Sequence, residues 1–368
     1  MYASFGVRTG PWVLTQSMLI FCVLILGLGL LLTNPGLESL GIHAGGVPQY
    51  VYKRVFNDCS KRLFFSGGKS WYWGGNSNGS AIDPSSGHTF AYKTAVAFQP
   101  KDRDDQIYQK LKDSLQSPTG EDNYFVQANA MDDLFAGVAD GVGGWAEHGY
   151  DSSAISRELC KALQEFTAIS VKPLTPKQVL DNAYSKIKAE NIVKVGGTTA
   201  TVAHLKSNGS LEVANLGDSW CAVFRDAKLV FETKAQTLGF NTPYQLAIIP
   251  DEIQEAAAKN GNRYIQNVPT DADEYSFQLE KDDVVILATD GVTDNIAISD
   301  IEIFLRDNKA KIDSDIHGVT QDLVRNVVKI SKDSEFPSVF AQEISKMTGK
   351  LYKGGKEDDI TMVMIKVD

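Results

Sequence analysis

Four short acidic clusters, each beside an apolar stretch, constrain the fold of this chain more than any other feature. The clusters are residues 120–123, 139–141, 289–291 and 357–359, and the apolar stretches are 124–126, 134–138, 284–288 and 360–363. An acid at the end of a buried strand is costly unless it is paired or coordinated. Several such acids that converge repel one another unless a cation neutralises them. The pattern therefore predicts strand ends gathered around a cation.

The ligand types indicate which cation would fit. The chain has four cysteines and five scattered histidines, and their spacings match neither a disulfide framework nor a zinc site. Carboxylates favour hard ions such as Mg²⁺ or Mn²⁺. Glycines follow Asp140 and Asp290, so a backbone carbonyl could also serve as a ligand there. A single Asp-Gly is usually only a turn, and the prediction therefore rests on the set of four clusters.

Irregular alternation of strand and helix patterns predicts an α+β fold with antiparallel sheets. One helix is predicted at 152–166, and another after Thr175 and Pro176, an N-cap followed by proline at the first helical position. Asn208 and Gly209 indicate a hairpin turn. The predicted strands are 199–205, 211–216, 222–224, 229–233, 284–288 and 360–367.

The ordered motifs resemble those of the metal-dependent protein phosphatases of the type 2C (PPM) family. The matching stretches are GEDNYF (120–125), ADGVGGW (139–145), GGTTA (196–200), NLGDSW (215–220), ATDGVTDN (288–295) and KEDDITMV (356–363). The resemblance covers about residues 90–368. It implies a sandwich of two antiparallel sheets flanked by helix pairs, with metals at one end. The stretches YKTAVAFQPKDRDD and DGVGGWAEHGYDSS resemble the eukaryotic mitochondrial branch linked to ubiquinone biosynthesis.

The resemblance also implies a metal pair. Asp140 would bridge two Mn²⁺ or Mg²⁺ ions, with the Gly141 carbonyl on the first ion. Asp290 and Asp358 would hold the second. Such a pair activates a water that attacks phosphorus in line, while the ions offset charge on the phosphoryl oxygens. No cysteine or serine nucleophile is then needed.

Further carboxylates have supporting roles in the resemblance. Glu121 and Asp122 would act catalytically through water molecules on the ions. Asp218 and Asp294, together with Asp290, match a weaker third-metal site. The implied activity is that of a protein serine/threonine phosphatase, with phosphoserine and phosphothreonine proteins as partners. The implied substrates include the ubiquinone-pathway hydroxylase.

Two positions depart from the family pattern. Val142 stands where many members have a histidine proposed as general acid, and His148 is a candidate replacement although a lone loop histidine is more often a bystander. Ser117 stands where the family often has a phosphate-gripping arginine. Lys101 or Arg103 could replace that arginine, but a solvated turn is the favoured interpretation of these two residues.

These departures keep a second function open, that of a catalytically weak phosphoprotein-binding or regulatory module. The active enzyme is favoured because a decayed enzyme should lose metal carboxylates, and these positions are all filled. A haloacid-type phosphatase needs Asp-x-Asp, which Asp290-Gly291-Val292 lacks. The formal net charge of −10 argues against a nucleic-acid partner. The oligomeric state is left open.

The N-terminal part predicts a membrane anchor. After a tail at 1–11, residues 12–32 are mostly apolar, and no charge occurs between Arg8 and Glu38. A helix of this length rises ~31 Å, about one hydrocarbon core. The alternative is a cleaved secretory signal, but no Ala-x-Ala site follows. We therefore predict a single-pass membrane protein.

The remaining segment, 33–89, is predicted to contain a targeting or lipid-binding sequence and a flexible linker. Residues 50–66 are basic and aromatic, which fits a mitochondrial transit peptide or a juxtamembrane lipid-binding patch equally well. Residues 66–87 contain six Gly and six Ser and predict a flexible linker to a catalytic domain at 90–368. Both the mitochondrion and the nuclear envelope or endoplasmic reticulum are open as locations.

Overall fold

The computed structural model describes residues 90–103, 117–169 and 174–368. The predicted membrane span, basic segment and linker all fall in residues 1–89, outside these described residues. Within the described ranges, no helix combines the length and the apolar character needed to cross a membrane.

Two five-stranded antiparallel sheets form the centre of the fold. In chain order, the strands in the described ranges are β1 (Tyr92–Gln99), β2 (Asp122–Ala130), β3 (Asp133–Asp140), β4 (Gly196–Thr198), β5 (Ala200–Leu205), β6 (Ser210–Leu216), β7 (Trp220–Arg225), β8 (Lys228–Glu232), β9 (Thr237–Gly239), β10 (Thr242–Pro243), β11 (Leu246–Ile248), β12 (Asp273–Gln278), β13 (Val284–Ala288) and β14 (Ile360–Val367). The first sheet has the order β1-β14-β13-β7-β8, and the second has β12-β6-β5-β3-β2. Two short pairs, β4 with β11 and β9 with β10, lie beside them.

Strand β13 shows why the central strands are apolar throughout. Val285 and Leu287 belong to the core between the two sheets. Ile286 and Ala288 point to the opposite face and join a second core formed with helices. Because both faces are covered, no polar alternation remains along the strand. The predicted bounds of β13 and β14 are confirmed.

Helices cover the outer faces of both sheets. In the described residues they are α1 (Gly144–Glu147), α2 (Ser153–Ile169), α3 (Pro176–Glu190), α4 (Asp251–Lys259), α5 (Asp290–Thr293), α6 (Ile298–Asp307), α7 (Lys309–Ser314), α8 (Ile316–Ser331) and α9 (Val339–Thr348). The pair α2 and α3 packs on the second sheet, and α8 packs on β1 and β14 of the first. The expected layers of two sheets between helices are therefore present.

The start of α3 is set by local chemistry. The Gln178 backbone N–H donates to Thr175 Oγ1 at 3.3 Å, and the Thr175 N–H donates to Gln178 Oε1 at 3.0 Å. This capping box satisfies two backbone donors that the helix itself leaves unpaired. Pro176 follows at the first helical position, as the sequence predicted.

Candidate active site

Strand register gathers the acidic clusters at one edge of the sandwich. Asp122, the first residue of β2, lies opposite Asp140, the last residue of β3. In the other sheet, the end of β13 pairs with the beginning of β14. Asp290 begins the short helix after β13, and Asp358 lies just before β14. Antiparallel pairing therefore brings each pair of distant clusters together.

Side-chain hydrogen bonds join the two edges directly. Thr289 Oγ1 in the first sheet donates to Asp122 Oδ2 in the second at 2.8 Å. The Glu121 backbone N–H donates to Asp359 Oδ2 at 2.8 Å. All four side chains lie in the buried interior. The predicted convergence of the four acidic clusters is confirmed.

The backbone of Asp140 is held by two threonines from the GGTTA stretch. The Thr199 N–H and the Thr198 hydroxyl both donate to the Asp140 carbonyl at 2.9 Å. The Asp140 N–H donates to Thr199 Oγ1 at 3.1 Å. Thr199 is in turn hydrogen bonded to Ser219 at 2.6 Å. These hydrogen bonds fix the backbone position of Asp140 at the end of β3.

Gly141 is required by close backbone packing. A Cβ on this residue would lie 2.3 Å from the Ser152 carbonyl oxygen and 2.7 Å from that of Glu121. The Gly141 N–H donates to the Glu121 carbonyl at 3.0 Å. Ser152 Oγ donates to Glu121 Oε1 at 2.5 Å. The glycine thus lets the clusters at 120–123 and 139–141 come together.

Burial and mutual repulsion disfavour ionised carboxylates here. Burial raises the pKa of Asp140 well above its usual range, and Asp290 and Asp122 add to this effect. Burial likewise raises the pKa of Asp122. The pKa of Asp218 and of Asp294 rises to about 7, through burial first and then through Asp290. The site therefore needs positive charge to hold these groups ionised.

Lys101 and Arg103 supply part of that charge. Lys101 Nζ lies 2.7 Å from Glu121 Oε2 and 3.1 Å from Asp358 Oδ1. Asp359 accepts from the Lys101 backbone N–H at 2.9 Å and from Arg103 Nη2 at 3.0 Å. The lysine and arginine side chains are only 19% and 16% exposed. The interpretation of these two residues as a solvated turn is therefore wrong.

Lys356, which the sequence analysis missed, supplies a further cation. Its Nζ lies 2.6 Å from Asp290 Oδ2, 2.5 Å from Asp294 Oδ2 and 3.3 Å from Asp358 Oδ2. Burial alone would lower the pKa of Lys356, but these carboxylates hold it above its usual range. Its sequence signals were its place one residue before the acidic cluster at 357–359 and its position at the start of the KEDDITMV stretch.

The donor atoms fit a hard divalent ion. At this edge, Oδ1 of Asp122, of Asp218 and of Asp290 are buried without a hydrogen-bond partner, which suits cation ligands. Across the described ranges, no three His, Cys, Asp or Glu side chains are already arranged to hold a metal. Ammonium groups lie among the carboxylates instead, so metal binding requires some of them to move.

His148, the candidate general acid, lies away from the carboxylates, and the two departures from the family pattern, Val142 and Ser117, make local contacts. His148 is exposed after α1, with its ring 6.1 Å from that of Trp145. Within the part of the chain that the structure describes, no hydrogen bond or ion pair joins His148 to the carboxylates. Val142 packs in an apolar cluster with Trp145. Ser117 Oγ is hydrogen bonded to Thr119 at 2.7 Å.

Two antiparallel sheets that meet at an edge of buried carboxylates define a sandwich protein suited to hard divalent cations. The family model for stage II sporulation protein E (SpoIIE) matches residues 131–368. The chain is 62% identical over 342 residues to "Protein phosphatase 2C homolog 7, mitochondrial" of Saccharomyces cerevisiae, covering 91% of this chain and 99% of the relative. It is 33% identical over 251 residues to "Protein phosphatase PTC7 homolog fig" of Drosophila willistoni, covering 67% and 77% respectively.

The fold also matches a solved structure, that of the photosystem II phosphatase PBCP. The TM-score is 0.59 at 25% identity, over 75% of this chain and 99% of the other. The chain belongs to the PP2C-type (PPM) phosphatase family and is a metal-dependent protein-serine/threonine phosphatase. The resemblance to this family and to its mitochondrial branch is therefore confirmed.

Proposed function

We propose that this chain hydrolyses phosphoserine and phosphothreonine esters of proteins with a water activated between two Mn²⁺ or Mg²⁺ ions. The main support is the convergence of Asp140, Asp290 and Asp358 at one buried edge, where Asp290 Oδ1 has no hydrogen-bond partner. Asp140 would contact both ions and the Gly141 carbonyl the first. Asp290 and Asp358 would hold the second.

When bound, two such ions lower the pKa of a water and offset charge on the phosphoryl oxygens. Glu121 and Asp122 would orient that water. Glu121 is fixed by Ser152 and Lys101, and Asp122 is fixed through one oxygen by Thr289. The other oxygen of Asp122 has no hydrogen-bond partner and can accept a hydrogen bond from the nucleophilic water.

We place the substrate phosphate beside Lys101 and Arg103. Both cations belong to the segment before β2 and lie beside Glu121, Asp358 and Asp359. An arginine at the position of Ser117 would be the family's usual phosphate contact, and here a nearby pair of cations can replace it. A charge-assisted contact to phosphoryl oxygens is stronger than a neutral one.

The leaving group would take its proton from solvent water. Val142 has no proton to give and packs against Trp145. His148 is exposed and makes its ring contact with the same tryptophan. The alkoxide of a serine or threonine is basic enough to accept a proton from a nearby water as the ester bond breaks.

Phosphate release from a phosphoserine peptide by the full-length chain tests this proposal. We expect hydrolysis that rises with Mn²⁺ and stops when a chelator removes it. An equal rate with and without the metal would contradict the proposed chemistry.

A catalytically weak phosphoprotein-binding module is the second candidate, and Val142 and Ser117 are the observations that favour it. Both side chains lack the acid or the cation that the family often has at those positions. Calorimetry with Mn²⁺ separates the two functions. Tight metal binding without turnover would favour the binding module, whereas metal binding with turnover favours the enzyme.

We further propose a mitochondrial location, because the 62% identical yeast relative is named as a mitochondrial protein. Membrane attachment through residues 12–32, a nuclear-envelope location and a ubiquinone-pathway substrate stay predictions from the sequence. Imaging a tagged chain with and without residues 10–35 tests the membrane prediction. An unchanged location on deletion would contradict the idea that this segment sets the address.

A further inference from the structure

Lys356 lies where a divalent ion would otherwise bind. Its Nζ is 2.6 Å from Asp290, 2.5 Å from Asp294 and 3.3 Å from Asp358. A further carboxylate oxygen at this edge, Asp218 Oδ1, is buried without a hydrogen-bond partner. An ammonium group and a metal ion cannot use the same two oxygens at once, because both cations need direct contact with them.

The backbone of Lys356 is fixed by one buried amide. The Lys356 N–H donates to Asn295 Oδ1 at 2.8 Å, and Asn295 Nδ2 donates to the Lys356 carbonyl at 2.8 Å. Asn295 Nδ2 also donates to the Gly291 carbonyl at 2.9 Å. Asn295 is fully buried at the end of α5. This two-way contact ties the lysine to the same short helix that carries Asp290.

The side chain of Lys356 is enclosed as well. Its Nζ lies 5.3 Å from the centre of the Phe340 ring, whose centre is 5.0 Å from that of Phe240 with the two planes tilted by 35°. The Phe340 N–H donates to the Asp294 carbonyl at 2.8 Å, which joins the first turn of α9 to the end of α5. Asn241 Oδ1 accepts from Nζ at 3.1 Å. Only 15% of the lysine side chain is exposed.

A cation tethered in this way has an advantage over a free ion. The chain holds it close to its carboxylates, at an effective concentration on the order of millimolar for a short tether. It carries one positive charge, so it only partly neutralises the group. A third divalent ion must displace this ammonium from Asp290 Oδ2 and Asp294 Oδ2. The second ion can instead use Asp290 Oδ1, which has no hydrogen-bond partner.

We propose that Lys356 acts as a built-in counter-ion that competes with a third divalent ion for Asp290 Oδ2 and Asp294 Oδ2. It thereby suppresses the weaker third-metal site and leaves the enzyme with two ions. The inference rests on the proposed function, because it concerns the metals of the same site. It makes Lys356 a determinant of metal stoichiometry rather than a residue that contacts substrate.

The test is to count Mn²⁺ bound to the full-length chain by equilibrium dialysis and calorimetry. Lys356→Met keeps the length of the side chain and removes its charge. We expect two ions per chain in the wild type and a third in Lys356→Met, with affinity at the third site raised on the order of tenfold or more. Lys353→Met is the matched control, since Lys353 is half exposed and pairs with Glu335. That variant should bind Mn²⁺ as the wild type does.

Two further variants keep the test decisive if Lys356→Met does not fold. Lys356→Gln should also gain the third ion, whereas Lys356→Arg, which keeps the charge, should bind two. Equal Mn²⁺ binding by the wild type, the methionine and the glutamine variants would overturn the inference. A wild type that already binds three ions would overturn it too.

Failure of this inference can be told apart from failure of the proposed function. Suppose that the wild type hydrolyses phosphopeptide with Mn²⁺ but that removing the Lys356 charge does not change the number of bound ions. The phosphatase function would then stand, and the counter-ion role of Lys356 would be wrong. A wild type that binds no Mn²⁺ and releases no phosphate would contradict both the phosphatase function and the counter-ion role.

Discussion

The two halves of the acidic edge differ in how their charge is balanced. One half, which we call the covered half, contains Glu121 and Asp359 with their two cations, Lys101 and Arg103. Asp359 also accepts hydrogen bonds from two backbone N–H groups. The other half, which we call the acidic half, contains Asp290 and Asp294, and both contact Lys356. The remaining carboxylates of the acidic half are Asp140 and Asp218, whose pKa values are raised by burial and by neighbouring acids. Asp358 lies between the halves and contacts a lysine from each.

This difference in charge balance suggests different roles for the two halves, metal binding and substrate binding. The acidic half has excess negative charge and orphaned oxygens at Asp218 and Asp290, so divalent ions stabilise it. In the covered half, Lys101 and Arg103 already balance Glu121 and Asp359, so a substrate phosphate there would share these two cations with the carboxylates. The three predictions that follow test whether the halves respond differently to substitution.

The largest expected effect is on the stability of the covered half. Asp359→Ala leaves the buried N–H groups of Lys101 and Glu121 without their acceptor and removes the partner of Arg103. We expect the free energy of unfolding to fall by about 3 kcal/mol. Urea unfolding measures this, with the exposed Asp307→Ala as control. Equal stability of the two variants would show that Asp359 does not anchor this half.

The next effect is on substrate binding. Lys101→Met should raise KM for a phosphopeptide about tenfold and change kcat less, because it would remove the charge-assisted phosphate contact proposed for Lys101. Lys309→Met, which loses only an exposed pair with Asp226, serves as control. Steady-state kinetics at saturating Mn²⁺ provides the measurement. If KM stayed at the wild-type value, the substrate would not contact the covered half.

The smallest effect is on the pH dependence of the acidic half. Burial and then Asp290 raise the pKa of Asp294 to about 7, above the ~3.9 of an unfolded aspartate. The metal-free folded protein therefore keeps a proton that the unfolded chain releases. The contribution of this bound proton to the free energy of unfolding is fully present below pH ~4 and is lost as the pH rises toward 7.

Asp294→Asn removes this titration. We expect the metal-free variant to lose less stability than the wild type between pH 5 and 8, by on the order of 1 kcal/mol. Thermal unfolding in the presence of a chelator gives both curves. If the two curves of stability against pH were parallel, the neighbours of Asp294 would not raise its pKa.

Local patterns predicted much of the fold. The continuous apolar runs of β13 and β14 matched their observed bounds, since both faces of these strands are buried. Thr175 and Pro176 marked the start of α3 because capping depends on neighbours in sequence. The acidic clusters were recognisable because a carboxylate at the end of a buried strand needs a specific partner.

The cations of the site were harder to predict, because their partners are remote in sequence. Lys101 and Asp359 are 258 residues apart, and Lys356 and Asp290 are 66 apart. A lysine beside polar residues usually indicates a solvated turn, and only the meeting of the two sheets shows otherwise. Asn295 ends the ATDGVTDN stretch (288–295), but that motif did not indicate that Asn295 fixes Lys356 by backbone contacts.

The central claim is that the acidic edge is the hydrolytic centre. Phosphate release by Asp290→Asn at saturating Mn²⁺ tests it most directly, with the exposed Asp307→Asn as matched control. The substitution keeps the shape of the side chain and removes the charge that would hold the second ion. We predict a fall on the order of a hundredfold or more, since an ion at this position contributes several kcal/mol to the transition state. Phosphate release at the wild-type rate would contradict the claim.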